Sequence, residues 1–259
     1  MGSVHILHDF ASPPEGAPRT VRVYTPDAYE REPHRRFPVL YLQDGQNVFA
    51  HPESARSDSW SANEAIEQVV AEGRCEPWLL VAVDHGRDRF AEYSPWDEPR
   101  LGVQARGPLY VAFLTDYLKP WVDRTWRTRR DPEHTAIMGS SLGGLVSLYA
   151  GWARPELFGR LGGVSPSVMW SAGRLFDFWR ARPRQRQRIY LDVGTNEGFR
   201  QGEVLLDYPT AVRAFWHHLK ALGYDDQELK LVVDEGGGHD ESSWRRRLPD
   251  TMGWLLGPW

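Results

Sequence analysis

Cysteine is almost absent from this 259-residue chain: Cys75 is the only one, so no internal disulfide can form, which suits a reducing compartment. No apolar run approaches the ~18 residues needed to span a bilayer, so a membrane-embedded protein is not expected. An excess of basic charge is missing too. There are 31 Lys and Arg against 35 Asp and Glu, a formal charge of −4, which argues against a nucleic-acid-binding surface. The first residues carry no basic stretch followed by an apolar one, so no export signal is visible and the expected location is cytoplasmic. Gly2 follows Met1 as in a myristoylation site, but Ile6 stands where Ser or Thr is required. Internal repeats and low-complexity tracts are also lacking, apart from the short Arg-rich run at 182–188, read as a solvated face like Arg245–Arg247. No pair of histidines has the H-E-x-x-H or a comparable ligand spacing, so neither a metal nor another cofactor is expected.

What is present is ordinary globular composition, 41% hydrophobic and 25% charged, in a chain long enough for one large domain. Short β-rich runs at 21–24, 39–42, 79–83, 135–138, 161–164, 189–193 and 229–233 alternate with longer helical patterns at 62–72, 109–126, 142–152, 172–182, 209–222 and 242–256. Several of the strand candidates are apolar on both sides, as strands buried beneath helices must be. The alternation predicts a mostly parallel sheet of βαβ units in a single domain spanning 1–259. The opening run at 5–10, before the Pro13-Pro14 turn, reads instead as half of an antiparallel hairpin at the sheet edge. The segment 87–107 is irregular and long enough to suggest a functional loop.

The most informative stretch is Gly139-Ser140-Ser141-Leu142-Gly143, a G-x-S-x-G pattern lying between a buried-type strand and a helical pattern. A sharp strand-to-helix bend pushes the central side chain outward, and the helix N-terminus offers free N–H groups where an oxyanion would form. Ser141 is therefore the candidate nucleophile. A serine hydroxyl needs a base held in one tautomer by a third group. Of nine histidines, His239 stands out: it follows three glycines after the last strand candidate and precedes the last helix, where His217 and His218 lie within a helical pattern. The orienting acid is expected between serine and histidine in chain order. Glu197, just past a strand's carboxyl end, is favoured, with Asp192 inside that strand and Asp207 in the following loop as alternatives.

With these residues placed, the chain from about residue 21 onward resembles the α/β-hydrolase-fold esterase family that groups enterobactin esterases, feruloyl esterases, S-formylglutathione hydrolases and mycolyltransferases. The resemblance rests on Val39–Asn47, on Gly139–Gly144, on Gly194-Thr195-Asn196-Glu197 and on Gly238-His239 with Trp244. It implies a three-layer αβα sandwich of about eight strands, with Ser141 as nucleophile, His239 as base and Glu197 as acid. It also implies an oxyanion hole made by the backbone N–H groups of Gln46 and Leu142. Relatives use Asp or Glu as the acid and some manage without one.

Trp170, in the segment following the strand after the elbow, is a candidate for lining the substrate site, ahead of Trp60 and Trp96. Arg87, with Arg89 and Arg200, is a candidate for holding an anionic substrate. The chain is too short for a large lid once the sheet and its helices are counted. A shallow cleft taking soluble, small-molecule esters is therefore expected, with no nucleic-acid or membrane partner. An acyltransferase using the same acyl-enzyme and a non-catalytic binding protein on this fold are the competing readings.

Overall fold

The computed structural model describes residues 2–55, 59–201 and 204–259. Eight strands form one sheet: β1 (Ser3–Phe10), β2 (Arg19–Thr25), β3 (Val39–Gln43), β4 (Leu79–Val83), β5 (Thr135–Ser140), β6 (Arg160–Val164), β7 (Arg188–Gly194) and, last in the chain, Leu229–Asp234. Two four-residue strands between these, β8 (Gly198–Gln201) and β9 (Val204–Asp207), make a separate antiparallel ribbon, so the last strand is β10. The order across the large sheet is β1-β2-β4-β3-β5-β6-β7-β10. β1 pairs antiparallel with β2 and β2 with β4, while every other neighbouring pair is parallel. The opening hairpin therefore sits at the sheet edge as the sequence predicts.

The period-2 alternation of a strand divides the interior into two layers. Leu79, Val81 and Val83 of β4 join one core with Val39, Tyr41, Ile137, Leu161 and Leu191. Leu80 and Ala82 point the other way, into a second core with Leu40, Leu42, Met138 and Tyr190. The first layer is covered by helical residues of 107–125, Leu142–Ala153, Trp170–Arg180 and Tyr208–Ala221, the second by Ala62–Ala71 and Glu241–Leu256. This is the three-layer αβα sandwich of an α/β-hydrolase, with no large lid among the described residues. Within the first layer Trp152 and Trp179 stack with ring centroids 4.5 Å apart, and Trp152 Nε1 donates to the Phe178 carbonyl at 3.0 Å.

Two elements depart from the sequence reading. The helix expected over 109–126 runs as Gly107–Ala112 and Lys119–Thr125, with a wider π-helical stretch at Phe113–Leu118 between them. Pro120 has no N–H to give the carbonyl four residues back, so the hydrogen-bond ladder reorganises just before it. The irregular segment 87–107 contains short helical turns at Arg89–Glu92 and Pro99–Leu101, each capped by the side chain before it, Asp88 and Glu98. No helix among the described residues is long and apolar enough to cross a membrane.

Candidate active site

The ends of β3 and β5 and the loop after β10 line one cavity, with the loop after β7 packed behind it. Ser141 links β5 to the helix Leu142–Ala153 and adopts φ 55°, ψ −123°, a conformation that costs a non-glycine residue free energy and persists only where its surroundings enforce it. Enforcement is visible on both sides. The Ser141 amide donates to the Val164 carbonyl at 3.0 Å, and the Ser167 amide donates to the Ser141 carbonyl at 3.0 Å. A Cβ on Gly139 would stand 2.6 Å from the Gly143 backbone carbon, so strand and helix approach this closely only because that residue is glycine. Leu142 opens the helix, and its amide is one of the first-turn groups that lack an intrahelical acceptor.

His239 and Glu197 arrive from adjacent strands. The loops that follow β7 and β10 are stitched together by Thr195 N–H to the Asp234 carbonyl (3.0 Å) and Asn196 N–H to the Gly237 carbonyl (2.9 Å). A Cβ at Gly194 would lie 2.2 Å from the Gly237 oxygen, which accounts for glycine at the end of β7. This places His239 Nδ1 2.9 Å from Glu197 Oε2. The Glu197 side chain is fully buried, so its charge has to be met by partners. Oε1 accepts from Gly194 N–H at 2.6 Å and from Ser165 Oγ at 2.7 Å. Arg247 Nη2 lies 3.5 Å from the same oxygen. Ser165 Oγ in turn accepts from Trp244 Nε1 at 3.1 Å and from Arg247 Nη2 at 2.8 Å.

The two alternative acids stand elsewhere. Asp192 is fully buried, with Oδ1 accepting from Ser165 N–H at 3.0 Å and 3.2 Å from Arg247 Nη2. Burial pushes its carboxyl pKa up to about 6 despite the Arg247 charge. Asp207 caps the helix Tyr208–Ala221, accepting from Thr210 N–H at 3.1 Å.

Ser141 and His239 line the same cavity of ≈ 350 Å³, together with Trp60, Asn47, Arg89 and Trp244. Among the described residues the Ser141 hydroxyl makes its side-chain hydrogen bonds with Ser167 Oγ (3.3 Å) and Tyr208 OH (3.4 Å), not with His239. The His239 ring is 4.2 Å from the Tyr208 ring and 5.0 Å, edge-on, from that of Trp244. The facing wall is the turn after β3. Asp44 holds φ 57°, ψ 45° there, its amide donates to Tyr93 OH at 3.0 Å, and Arg89 clasps its carboxylate. Gln46 lies in the 3-10 turn Gly45–Asn47 that follows, and its side-chain oxygen accepts from His85 N–H at 3.2 Å.

Two expected substrate contacts fall outside this cavity. Trp170 is 3% exposed, belongs to the first core and has its ring 6.0 Å from Phe90. Left-handed backbone at Ser171, Ala172 and Gly173 turns the chain there, and Ser171 N–H is tied to Glu98 Oε2 at 3.0 Å, so the long loop covers the indole. Arg87 is exposed on a different cavity of ≈ 430 Å³, beside Glu15, Arg19 and Arg106. The short helix that starts after Asp88 turns Arg89, not Arg87, toward Ser141. No local spacing marks Ser165, Ser167 or Tyr208. Arg247, read from sequence as part of a solvated face, is instead buried and paired with Asp192, Asp234 and Glu197, because it faces the sheet from the last helix. Among the described residues no group of three or more His, Cys, Asp and Glu is placed to hold a metal ion.

Comparison with known proteins agrees with this architecture. The esterase family model, described as "Putative esterase", matches residues 12–255. The chain is 24% identical over 245 residues to the "Uncharacterized protein YbbA" of Bacillus subtilis, covering 92% of this chain and 93% of that one. It is 27% identical over 250 residues to the iron(III) enterobactin esterase of Dickeya dadantii, covering 92% of this chain but 52% of the relative, so it spans about half that protein's length. A solved ferulic acid esterase shares the fold at a TM-score of 0.75 and 18% identity, over 99% of this chain and 98% of that one. Matched from residue 12 to 255 and built on that same sheet, the chain belongs to the esterase family and is an α/β-hydrolase-fold esterase.

Proposed function

We propose that the protein hydrolyses small carboxylic esters through an acyl-enzyme on Ser141, with His239 as the general base and Glu197 as the acid that orients it. The observation that carries this reading is the convergence of a strained, cavity-facing Ser141 with an imidazole whose Nδ1 is 2.9 Å from a fully buried carboxylate. With Nδ1–H given to Glu197, the opposite nitrogen Nε2 is left as a proton acceptor. In this reading the Ser141 hydroxyl hands its proton to that nitrogen after turning about the Cα–Cβ bond. Attack on the ester carbonyl then moves the hydroxyl proton to Nε2 and the carbonyl electrons onto oxygen. The amides of Leu142 and Gln46 receive that oxyanion, a contact worth ~3–4 kcal/mol per donor. His239 returns the proton to the leaving alkoxide, and water repeats the sequence to release the acid.

A cavity of this size suits soluble esters rather than long acyl chains. Aromatic-acid and siderophore esters belong in the first substrate panel, because similar proteins carry the names feruloyl esterase and enterobactin esterase. The test is a panel of p-nitrophenyl, feruloyl, thioester and macrolactone substrates on wild type and Ser141→Ala, with fluorophosphonate labelling. Expected are turnover that peaks at short or aromatic acyl groups, label on Ser141, and loss of both in the variant. Undiminished turnover in folded Ser141→Ala would refute the reading.

A further inference from the structure

Three hydroxyl groups meet behind the cavity, and the catalytic cycle above uses only one of them. Ser167 Oγ lies 2.9 Å from Tyr208 OH, and both approach Ser141 Oγ, at 3.3 and 3.4 Å. The two partners are buried, Ser167 at 1% and Tyr208 at 3% exposure, so neither hydroxyl has bulk water as an alternative partner. Burial also raises the Tyr208 pKa, which keeps the phenol protonated and a donor.

We propose that Tyr208 and Ser167 are positioning residues for the Ser141 hydroxyl, acting as a directed chain in which Tyr208 OH donates to Ser167 Oγ and Ser167 donates to Ser141 Oγ. The chain rests on Ser141 being the nucleophile. Proton count permits this direction. Each hydroxyl has one proton, and the Tyr208–Ser167 contact is the shortest of the three. If Tyr208 spends its proton on Ser167, Ser167 has its own to give Ser141. Ser141 then accepts at oxygen and keeps its proton for His239. Oγ is thus held from behind with its own proton directed toward His239. The same Tyr208 ring sits 4.2 Å from the imidazole, so one side chain borders both partners in the proton transfer.

The pair lies on the β6–β7 side of Ser141, whereas Gln46 follows β3 on the other side of β5 in the sheet. It is therefore distinct from the proposed oxyanion donors, and it acts through Oγ rather than on the substrate. That predicts an effect on kcat with KM preserved.

The experiment is a double-mutant cycle with Tyr208→Phe, which removes one oxygen and keeps the ring packing, and Ser167→Ala, each checked for wild-type folding by circular dichroism. Each single variant is expected to lower kcat about five- to tenfold, with KM within twofold. The double variant is expected to match Ser167→Ala, because Tyr208 acts through Ser167. Singles within twofold of wild type, a loss carried by KM, or losses that multiply in the double variant would each overturn the chain. Tyr208→Phe alone decides the question if Ser167→Ala does not fold. Ser141→Ala, run alongside, separates the outcomes: activity surviving there refutes the nucleophile, whereas its loss beside an unaffected Tyr208→Phe refutes only the chain.

Discussion

Asp44 and Arg89 meet as a two-pronged ion pair on the cavity wall, with Nε to Oδ1 at 2.6 Å and Nη2 to Oδ2 at 2.8 Å. Burial alone would lower the Arg89 pKa, and attraction to Asp44 reverses that, leaving it raised. Asp44 also sits in left-handed backbone at the head of the turn carrying Gln46. Asn tolerates that backbone, so Asp44→Asn removes the charge without forcing the chain. The pair is partly hydrated, with 24% and 13% of the side chains exposed, so the expected loss is about 2–3 kcal/mol, below the range for a fully buried pair. Urea unfolding measures it, and an unshifted midpoint would count against the pair as a structural clasp.

Glu197→Gln keeps the shape of the side chain but loses the charge that fixes the imidazole tautomer. A drop in kcat of ~10²–10⁴ is expected on a p-nitrophenyl ester. Retention of wild-type kcat would mean that the packing of Tyr208 and Trp244 around His239 suffices to orient the ring.

Asp192 supplies a pH signature. Its folded-state pKa, about 6, lies above the ordinary 3.8, so between those values the folded protein holds a proton that the unfolded chain releases. The contribution of this group to stability is therefore full below about pH 4 and declines as pH rises through 6. Asp192→Asn removes the titration. Stability measured from pH 4 to 7 should show wild type losing ground to the variant as pH rises, and parallel curves would exclude it.

Trp152→Ala opens the stacked pair with Trp179 at the far end of the helix that begins beside Ser141. A loss of about 3–5 kcal/mol is expected in urea unfolding. KM of the remaining folded enzyme should stay at the wild-type value, since neither indole lines the cavity.

The parts written in local pattern were legible. Leu79–Val83 runs at the bounds its β-branched, two-sided apolar character indicates, and Ser141 stands on the bend its flanking glycines require. The ribbon of β8 and β9 was not, because four-residue strands are too short for a period to register. Trp170 misled because only one of the three left-handed residues after it, Gly173, is of a type that announces such backbone. Choosing between Arg87 and Arg89 depends on a one-turn helix, and the meeting of Ser167 with Tyr208 depends on a loop and a helix start that share no sequence neighbourhood.

Arg247 gathers much of this site on a single guanidinium. From the final helix it reaches Asp192 on β7, Asp234 at the end of β10, and Ser165 and Glu197 beside the imidazole. Detachment of that helix would strip the carboxylate of its counter-charge and unseat Trp244 in the same motion. Loosening of that helix would therefore cost activity and stability together.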